Sequence, residues 1–258
     1  REPMPTVTFK SKLSSGTTLL GTFQQIPAAD VTEIIGRAGL DFVIIDTEHG
    51  MFGVDAAIQL VRGCDAAGIA SVIRVPNLSA ERITQALDFG ASAVMVPMIH
   101  NRESAEIAVA GANYHPEGSR GICPFVRGAS YYALDNPDYY KQANAETAVI
   151  LQIEGTEGIA NLDEILAVPD VDAIFIGPFD LSQSLGIPGQ VTDVRVIDAL
   201  KDIIKRAEEK GVAVGNFAVT PEQAENYIQH GIRFLAYSTD TAMLTTVYLD
   251  LRKSIKTK

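Results

Sequence analysis

The sequence has few cysteines, a deficit of basic residues and no long apolar run, and each shortage excludes a class of protein. Its two cysteines, Cys64 and Cys123, cannot form a disulfide framework, and no Cys-x-x-Cys spacing suggests a zinc or redox site. The 21 Lys and Arg residues face 32 Asp and Glu residues, and the net charge of −11 repels nucleic acid and anionic lipid. No stretch approaches the roughly 18 apolar residues of a membrane span. We therefore expect neither a nucleic-acid partner nor a membrane partner.

The beginning of the chain, REPMPTVTFKSKLSSG, lacks the apolar core of a signal peptide. Together with the scarcity of cysteine, this favours a cytoplasmic location. The 258 residues are 47% hydrophobic, which is enough for a large core. Because no linker divides them, we expect one domain over residues 1–258.

Eight short apolar runs alternate with longer segments of helical period. The runs resemble parallel strands that are covered by helices on both faces. They lie at 19–23, 42–48, 71–76, 93–99, 149–154, 172–177, 212–217 and 233–238. Helices are predicted at 54–67, 79–89, 102–112, 194–210, 220–230 and 240–256. Eight β/α units in about 250 residues predict an α/β fold of the (β/α)8 TIM-barrel type, with a doubly wound open sheet as the alternative.

One connection is unusually long. Residues 113–148, which contain YHPEGSRGICPFVRGASYY, are predicted to form an elaborated loop after the fourth strand. Long loops in a compact domain are often functional. Arg120 or Arg127 could reach the barrel mouth from this loop.

Polar residues gather where the predicted strands end. In a TIM barrel these carboxyl ends form the mouth of the active site. The residues are Asp46, Glu48, His49, Arg74, Gln152, Glu154, the segment Gly177-Pro178-Phe179-Asp180, Ser238 and Asp240. Because five strands share the pattern, it indicates a converging site.

Glu154 and Asp180 follow neighbouring predicted strands, so their carboxylates can meet over the mouth. Such a pair either shares a proton or binds a hard cation. We favour the cation, because two carboxylates leave several octahedral positions for water and a chelating substrate, which suits Mg²⁺ or Mn²⁺. Taken singly, each carboxylate could instead form a salt bridge or cap a helix.

Three further residues are candidates for roles in the site. His49 is the best general base, since its ordinary pKa lies near the working pH, although it could simply bond loop backbone. Asp88 ends a predicted helix, where the helix dipole disfavours a carboxylate; a partner such as His49 would explain it, and solvent exposure is the alternative. Arg74 lies in an apolar strand and needs an anion. That anion could be substrate, Asp46 or Glu48, and both roles can hold at once.

The sequence also resembles the HpcH/HpaI aldolases, metal-dependent lyases of the phosphoenolpyruvate/pyruvate superfamily. The resemblance covers nearly the whole chain through GTFQQIPAADVTEIIGRAGLDFVIIDTEHG, RVPNLSAERITQALDFGASAVMVPMI, YHPEGSRG, LQIEGTEGIANLDEILAVPDVDAIFIGPFDLSQSLG and GIRFLAYSTDTAML. It implies a metal held by Glu154 and Asp180 and a catalytic dyad of His49 and Asp88. It further implies a substrate-orienting Arg74, a keto acid near Gln152, Gly177 and Pro178, and support from Asp46 and Glu48.

The activity implied by the resemblance is reversible cleavage of a 4-hydroxy-2-keto acid to pyruvate and an aldehyde through a metal-stabilised enolate. The cofactor would be Mg²⁺ or Mn²⁺, with Co²⁺ or Zn²⁺ as further options, and the chain would form a homo-hexamer of three dimers with its terminal helix on a neighbour. The alternatives are an oxaloacetate decarboxylase, a citrate-forming or macrophomate-type condensing enzyme, and a catalytically silent barrel that binds a keto acid. GMFG after His49 and CPFVRGASYY in the long loop depart from the family pattern. Both regions are expected to meet the second substrate, so the acceptor stays open.

Overall fold

Eight parallel strands close into a barrel in the computed structural model, which describes residues 8–255. The strands follow one another in chain order around the barrel, and the last pairs with the first. They are β1 Leu19–Gln24, β2 Phe42–Asp46, β3 Ala70–Arg74, β4 Ala93–Val96, β5 Ala148–Ile153, β6 Ala173–Ile176, β7 Ala213–Ala218 and β8 Phe234–Thr239. The predicted TIM barrel is confirmed, and the open doubly wound sheet is wrong.

The helices cover the outside of the barrel, and the first of them closes the amino end of its strands. They are α1 Phe9–Leu13, α2 Ala29–Arg37, α3 Val54–Ala67, α4 Ala80–Asp88, α5 Arg102–Ala112, α6 Tyr139–Glu146, α7 Thr156–Ala160, α8 Leu162–Leu166, α9 Pro178–Ser184, α10 Val194–Glu209, α11 Pro221–Gln229 and α12 Asp240–Ser254. The six predicted helices are among them. The last was predicted to end at residue 256, which lies outside the described residues. Residues 1–7, the start of the segment that lacks a signal-peptide core, lie outside them too. No described helix combines the length and apolarity that a membrane span requires.

Side-chain alternation divides the core into two layers. Residues on one face of each strand fill the barrel interior, and residues on the other face pack against the helices. Along β2 the inward residues are Phe42, Ile44 and Asp46. The alternation that fills the core with Phe42 and Ile44 therefore also directs the Asp46 side chain into the cavity at the carboxyl end of the strands. Glycine makes room for the largest inward rings, since a Cβ on Gly215 would lie 2.2 Å from the Phe234 ring.

The amino end of the barrel, which we call the floor, is closed by an aromatic plug. Phe9 of α1 is fully buried, and its ring meets the rings of Phe42 and Phe234 edge to face at centroid distances of 5.4 and 5.2 Å. The neighbouring Lys10 pairs with Asp172 at 2.8 Å. The open end is therefore the carboxyl end of the strands, which we call the mouth.

The long connection lies at the floor, because it joins the end of α5 to the start of β5. It contains α6 and a short 3-10 turn, Arg127–Ala129. Arg120 donates to Asp88 at 2.7 Å, and Arg127 bonds Asp65 and the Phe89 carbonyl. The expectation that Arg120 or Arg127 reaches the mouth of its own barrel is therefore wrong. In a β/α barrel, a connection from helix to strand is always on the amino side.

Candidate active site

A cavity of about 350 Å³ opens at the mouth, where the sequence predicted a converging site. Its polar lining consists of Gln25, Asp46, His49, Arg74, Gln152, Asp180 and Thr239. Its apolar lining consists of Phe23, Phe175, Phe179 and Phe217, with Gly177 and Pro178 between them. One cavity thus joins a charged side to an aromatic side.

Arg74 and Asp46 form a buried, two-pronged ion pair at the centre of the charged side. Arg74 Nε and Nη2 donate to the two Asp46 oxygens at 3.0 and 2.8 Å. Burial raises the pKa of Asp46, but the hydrogen bond and charge of Arg74 outweigh it, and the pKa lies below its ordinary value. The Asp46 carboxylate also accepts the backbone N–H groups of Glu48 and His49. It is therefore ionised and held in one orientation.

Arg74 keeps hydrogen-bonding capacity for a substrate. Its Nη1 lies 2.9 Å from a Glu48 carboxylate oxygen as an ion pair, and its guanidinium lies 4.8 Å from the centre of the Phe23 ring. Two of the five guanidinium N–H groups donate to Asp46, and the Nη1 group is paired by charge with Glu48, so hydrogen-bonding capacity is left for an anion. The ion pair expected as an alternative role for Arg74 exists and leaves room for the other role.

Glu154 is a buried carboxylate at the end of β5. One oxygen accepts the Met98 N–H at 2.9 Å, and the other accepts the side-chain amide of Gln152. Burial raises the pKa of Glu154 to about 7, the two hydrogen bonds oppose the rise, and the charges of Asp180 and Glu48 add to it. A Cβ on Gly177 would lie 2.6 Å from Glu154, so glycine is needed there.

Asp180 lies in the first turn of α9, exposed and without a side-chain hydrogen bond to the described residues. Burial raises the pKa values of Glu154 and Glu48, and the charge of Asp180 adds to both rises. The described residues contain no group of three or more His, Cys, Asp or Glu side chains with metal-binding geometry. A pair, Glu154 and Asp180, fits an oxygen-preferring divalent ion that completes its shell with water and substrate. A cation would favour the ionised forms and so oppose both the burial and the repulsion that raise these pKa values.

His49 is at the rim of the mouth. Its side chain is 62% exposed, and the nearest opposite charge is Glu48, 4.0 Å from Nε2. Its backbone N–H donates to Asp46, so the position of the residue is tied to the buried ion pair. The ring is free to face a ligand in the cavity that it lines.

Asp88 is not near His49 within one chain. It is the last residue of α4, and four residues separate it from the start of β4, so it lies at the floor. Its carboxylate pairs with Arg120, whose guanidinium also lies 4.5 Å from the centre of the Tyr114 ring. Within one chain Asp88 and His49 therefore do not meet, and the expected dyad stays a prediction. The helix runs antiparallel to the strands, which brings its last turn to the opposite end of the barrel.

The sequence and the fold match those of known proteins. The sequence profile described as HpcH/HpaI aldolase/citrate lyase matches residues 20–246. The chain belongs to this family. Within it, the chain is 37% identical to hydroxypyruvate/pyruvate aldolase of Roseobacter denitrificans over 99% of this chain and 98% of that protein. It is 31% identical to 5-keto-4-deoxy-D-glucarate aldolase of Escherichia coli, with 96% of each chain covered.

Solved structures of the HpcH/HpaI family superpose closely on this chain. An HpcH/HpaI aldolase from Desulfitobacterium hafniense has a TM-score of 0.92 at 30% identity and covers 97% of both chains. Citrate synthase SbnG has a TM-score of 0.87 at 30% identity and covers 96% of this chain and 97% of its own. The protein is thus an enzyme of the aldolase and lyase class, and the alternative of a catalytically silent barrel is wrong.

The two departures from the HpcH/HpaI pattern lie at opposite ends of the barrel. GMFG follows His49 at the mouth, where Met51 is 74% exposed. CPFVRGASYY lies at the floor, so it does not meet a substrate in the mouth of its own chain. Only the first departure can affect the acceptor within one chain.

Sequence reasoning missed the aromatic side of the HpcH/HpaI mouth and also Gln25. Phe23, Phe175 and Phe217 occupy inward positions of β1, β6 and β7, where the packed interior of the barrel borders the cavity. The Phe179 and Phe217 rings lie 6.0 Å apart at the cavity edge. Strand alternation was the available signal, since it separates inward from outward residues near a strand end.

Proposed function

We propose that the protein is a divalent-metal-dependent aldolase that reversibly cleaves a 4-hydroxy-2-keto acid into pyruvate and an aldehyde. One juxtaposition supports this most directly: Arg74 and Asp180 line one cavity with Gly177, the Glu154 carboxylate lies against Gly177, and the Arg74 guanidinium has N–H groups that Asp46 does not use. A cation and a guanidinium side by side suit the carboxylate and keto oxygens of a 2-keto acid.

Each polar side chain of the mouth would have its own role in this reaction. Glu154 and Asp180 would hold the metal, which when bound stabilises negative charge on the keto oxygen. Arg74 would bind the keto acid with its free N–H groups, held in direction by Asp46. In cleavage, His49 would take the proton from the C4 hydroxyl as the bond between C3 and C4 breaks and the aldehyde leaves. Gln152, Gly177 and Pro178, which line the cavity, would contact the keto acid.

The proposed dyad needs a second copy of the chain. Asp88 lies at the floor and His49 at the mouth, so Asp88 can meet His49 only across an interface. The long connection exposes Ile122, Phe125, Tyr131 and Leu134 at the same end of the barrel as Asp88. All side chains from 242 to 255 are exposed too, including Val247 and Tyr248 of α12. These apolar surfaces suit a homo-oligomer, and the family resemblance suggests a hexamer.

Mixing two inactive variants tests the shared dyad. His49→Ala and Asp88→Asn proteins would be dissociated together, reassembled and assayed. If the dyad spans two copies, some sites regain both native residues and activity returns. If activity does not return in mixed oligomers that have formed, the shared dyad is excluded. Reassembly of each variant alone is the control.

A second candidate is an enzyme that uses oxaloacetate, either decarboxylating it or condensing its enolate with another partner. The observation that favours it is the likeness to citrate synthase SbnG. The same mouth would serve, because both reactions develop negative charge on a keto oxygen.

Product analysis separates the two candidates. The protein would be given 4-hydroxy-2-keto acids and, separately, oxaloacetate, with Mg²⁺ or Mn²⁺ and again after chelation. Metal-dependent release of pyruvate with an aldehyde supports the aldolase. Release of CO₂ with activity on oxaloacetate alone supports the second candidate. Aldehyde release that survives complete chelation would refute the metal assignment.

A further inference from the structure

Gln25 links the charged side of the mouth to the last helix. Its Nε2 donates to Asp46 Oδ2 at 3.1 Å, and its Oε1 accepts from the Thr241 hydroxyl at 3.0 Å. Thr241 lies in the first turn of α12, and its hydroxyl is also 2.9 Å from that of Thr239. A chain of side chains therefore runs from α12 to the ion pair of Asp46 and Arg74.

The chemistry of these groups fixes the direction of each hydrogen bond. An ionised Asp46 only accepts, so the amide nitrogen of Gln25 must face it and the amide oxygen must face Thr241. The Thr241 hydroxyl has one proton, which goes to Gln25, so the Thr239 hydroxyl donates to Thr241. The backbone N–H of Ala242 in turn donates to Thr239. The orientation of the Gln25 amide is thus determined at both ends.

The backbone of this loop is also anchored to α12. Asp240 is buried, and its two oxygens accept the N–H groups of Gln25 and Ile26 at 2.9 and 3.0 Å. The same carboxylate accepts the Thr241 N–H at 2.7 Å. Side chain and backbone of Gln25 therefore both follow the position of the first turn of α12.

Gln25 has a particular effect on Asp46. Asp46 Oδ1 accepts three N–H groups, from Arg74 Nε and from the backbones of Glu48 and His49. Oδ2 accepts from Arg74 Nη2 and Gln25. Without Gln25, Oδ2 would be held by Arg74 alone, so carboxylate and guanidinium could turn together. The other donors to Asp46 lie at the ends of β2 and β3, whereas Gln25 follows the end of β1.

We propose that Gln25 is a positioning residue that fixes Arg74 and His49 for the keto acid by holding Asp46 against the first turn of α12. The proposal rests on the function proposed above for Arg74. It assigns no contact between Gln25 and the reacting atoms. The geometry of the mouth would then depend on the position of α12, a helix whose side chains from 242 to 254 are exposed.

The test compares Gln25→Leu with Gln59→Leu, a matched change at an exposed site on α3. Pyruvate binding is measured by calorimetry in the presence of Mg²⁺, and kcat and KM are measured for cleavage. Hydrogen bonds to charged groups contribute enough that we expect roughly a 10-fold to 100-fold loss in pyruvate affinity and in kcat/KM for Gln25→Leu. We expect Gln59→Leu to match the native protein. Thermal unfolding reports whether each variant is folded.

Two further variants separate positioning from a merely structural role. Gln25→Glu places a carboxyl beside Asp46; it repels when ionised but can donate its proton when protonated, so its activity relative to native should recover as the pH falls. The activity of Gln25→Leu relative to native should not recover. At the other end, Thr241→Val removes the donor to Gln25 and should weaken pyruvate binding several-fold, whereas Thr241→Ser should restore it.

The outcomes distinguish this proposal from the proposed function. If the native protein neither binds pyruvate with Mg²⁺ nor cleaves any keto acid, the proposed function fails and this proposal fails with it. If the native protein does both and Gln25→Leu matches Gln59→Leu, only the positioning role is refuted. If Gln25→Leu does not fold, equal pyruvate binding by Thr241→Val and the native protein refutes it.

Discussion

At the floor of the barrel the rings of Phe9, Phe42 and Phe234 pack edge to face, whereas at the mouth the inward positions hold an ion pair. Both ends are built by the same alternation along the strands. At the floor this alternation fills volume, and at the mouth it buries charge whose cost must be offset by partners. We therefore expect changes at the floor to affect stability and changes at the mouth to affect ligand binding and catalysis.

The largest expected effect is at the mouth. Asp180→Ala should lower kcat/KM for cleavage by at least about 10³-fold, because a cation contributes several kcal/mol to charge stabilisation. Metal titration should show weakened binding. Unfolding should be unchanged or slightly more difficult, because one of three mutually repelling carboxylates is gone. Asp135→Ala, at an exposed position of the long connection, is the control. Full, chelator-sensitive activity in Asp180→Ala would contradict the metal assignment.

The next effect should be at the floor. Phe9→Ala should reduce the free energy of unfolding by about 3 to 5 kcal/mol, because it empties a fully buried ring position. Pyruvate affinity should not change in the folded fraction. Phe179→Ala makes the same change on a half-exposed ring at the mouth and should cost much less stability. Denaturant titration of both variants measures the contrast. Equal losses would remove the distinction between the two ends.

The sequence predicted the mouth of the barrel better than the contacts at the floor. Eight apolar runs with polar residues after them were sufficient for the barrel and for Asp46, Arg74, Gln152 and Glu154, because strand ends share one edge. Asp88 was misplaced because its helix was considered without its direction. The pairing of Arg120 with Asp88 could not be predicted, since it depends on how the irregular chain from 113 to 120 folds back after α5. Gln25 was missed because its role depends on contacts between β1 and α12.

A smaller effect concerns pH. The pKa of Glu154 is raised to about 7 from an ordinary value of 4.5, so between these values the metal-free folded protein binds more protons than the unfolded chain. Stability from this group is therefore full below about pH 4.5 and declines as the pH rises to about 7. Glu154→Gln should remove this decline, which amounts to a few kcal/mol at most. Unfolding of both proteins in chelator across this range measures it, and parallel curves would contradict the raised pKa.

The smallest effect compares two ion pairs of α1. Lys10 pairs with Asp172, which is 14% exposed, and Lys12 pairs with Asp41, which is 37% exposed. Burial raises the pKa of Asp172, and Lys10 opposes the rise. Lys10→Met should cost about 1 kcal/mol at neutral pH, because it leaves a largely buried carboxylate without its cation. Lys12→Met should cost less, since water screens its pair.

The pH dependence decides whether the Lys10 pair acts as described. Protonation of Asp172 removes the attraction, so the stability difference between native protein and Lys10→Met should shrink as the pH falls. Pyruvate binding should be the same in both variants, because both pairs lie at the floor. If Lys10→Met is fully folded and still binds pyruvate more weakly than the native protein, the two ends of the barrel are coupled. That result would contradict the expectation that the floor determines stability while the mouth determines ligand binding and catalysis.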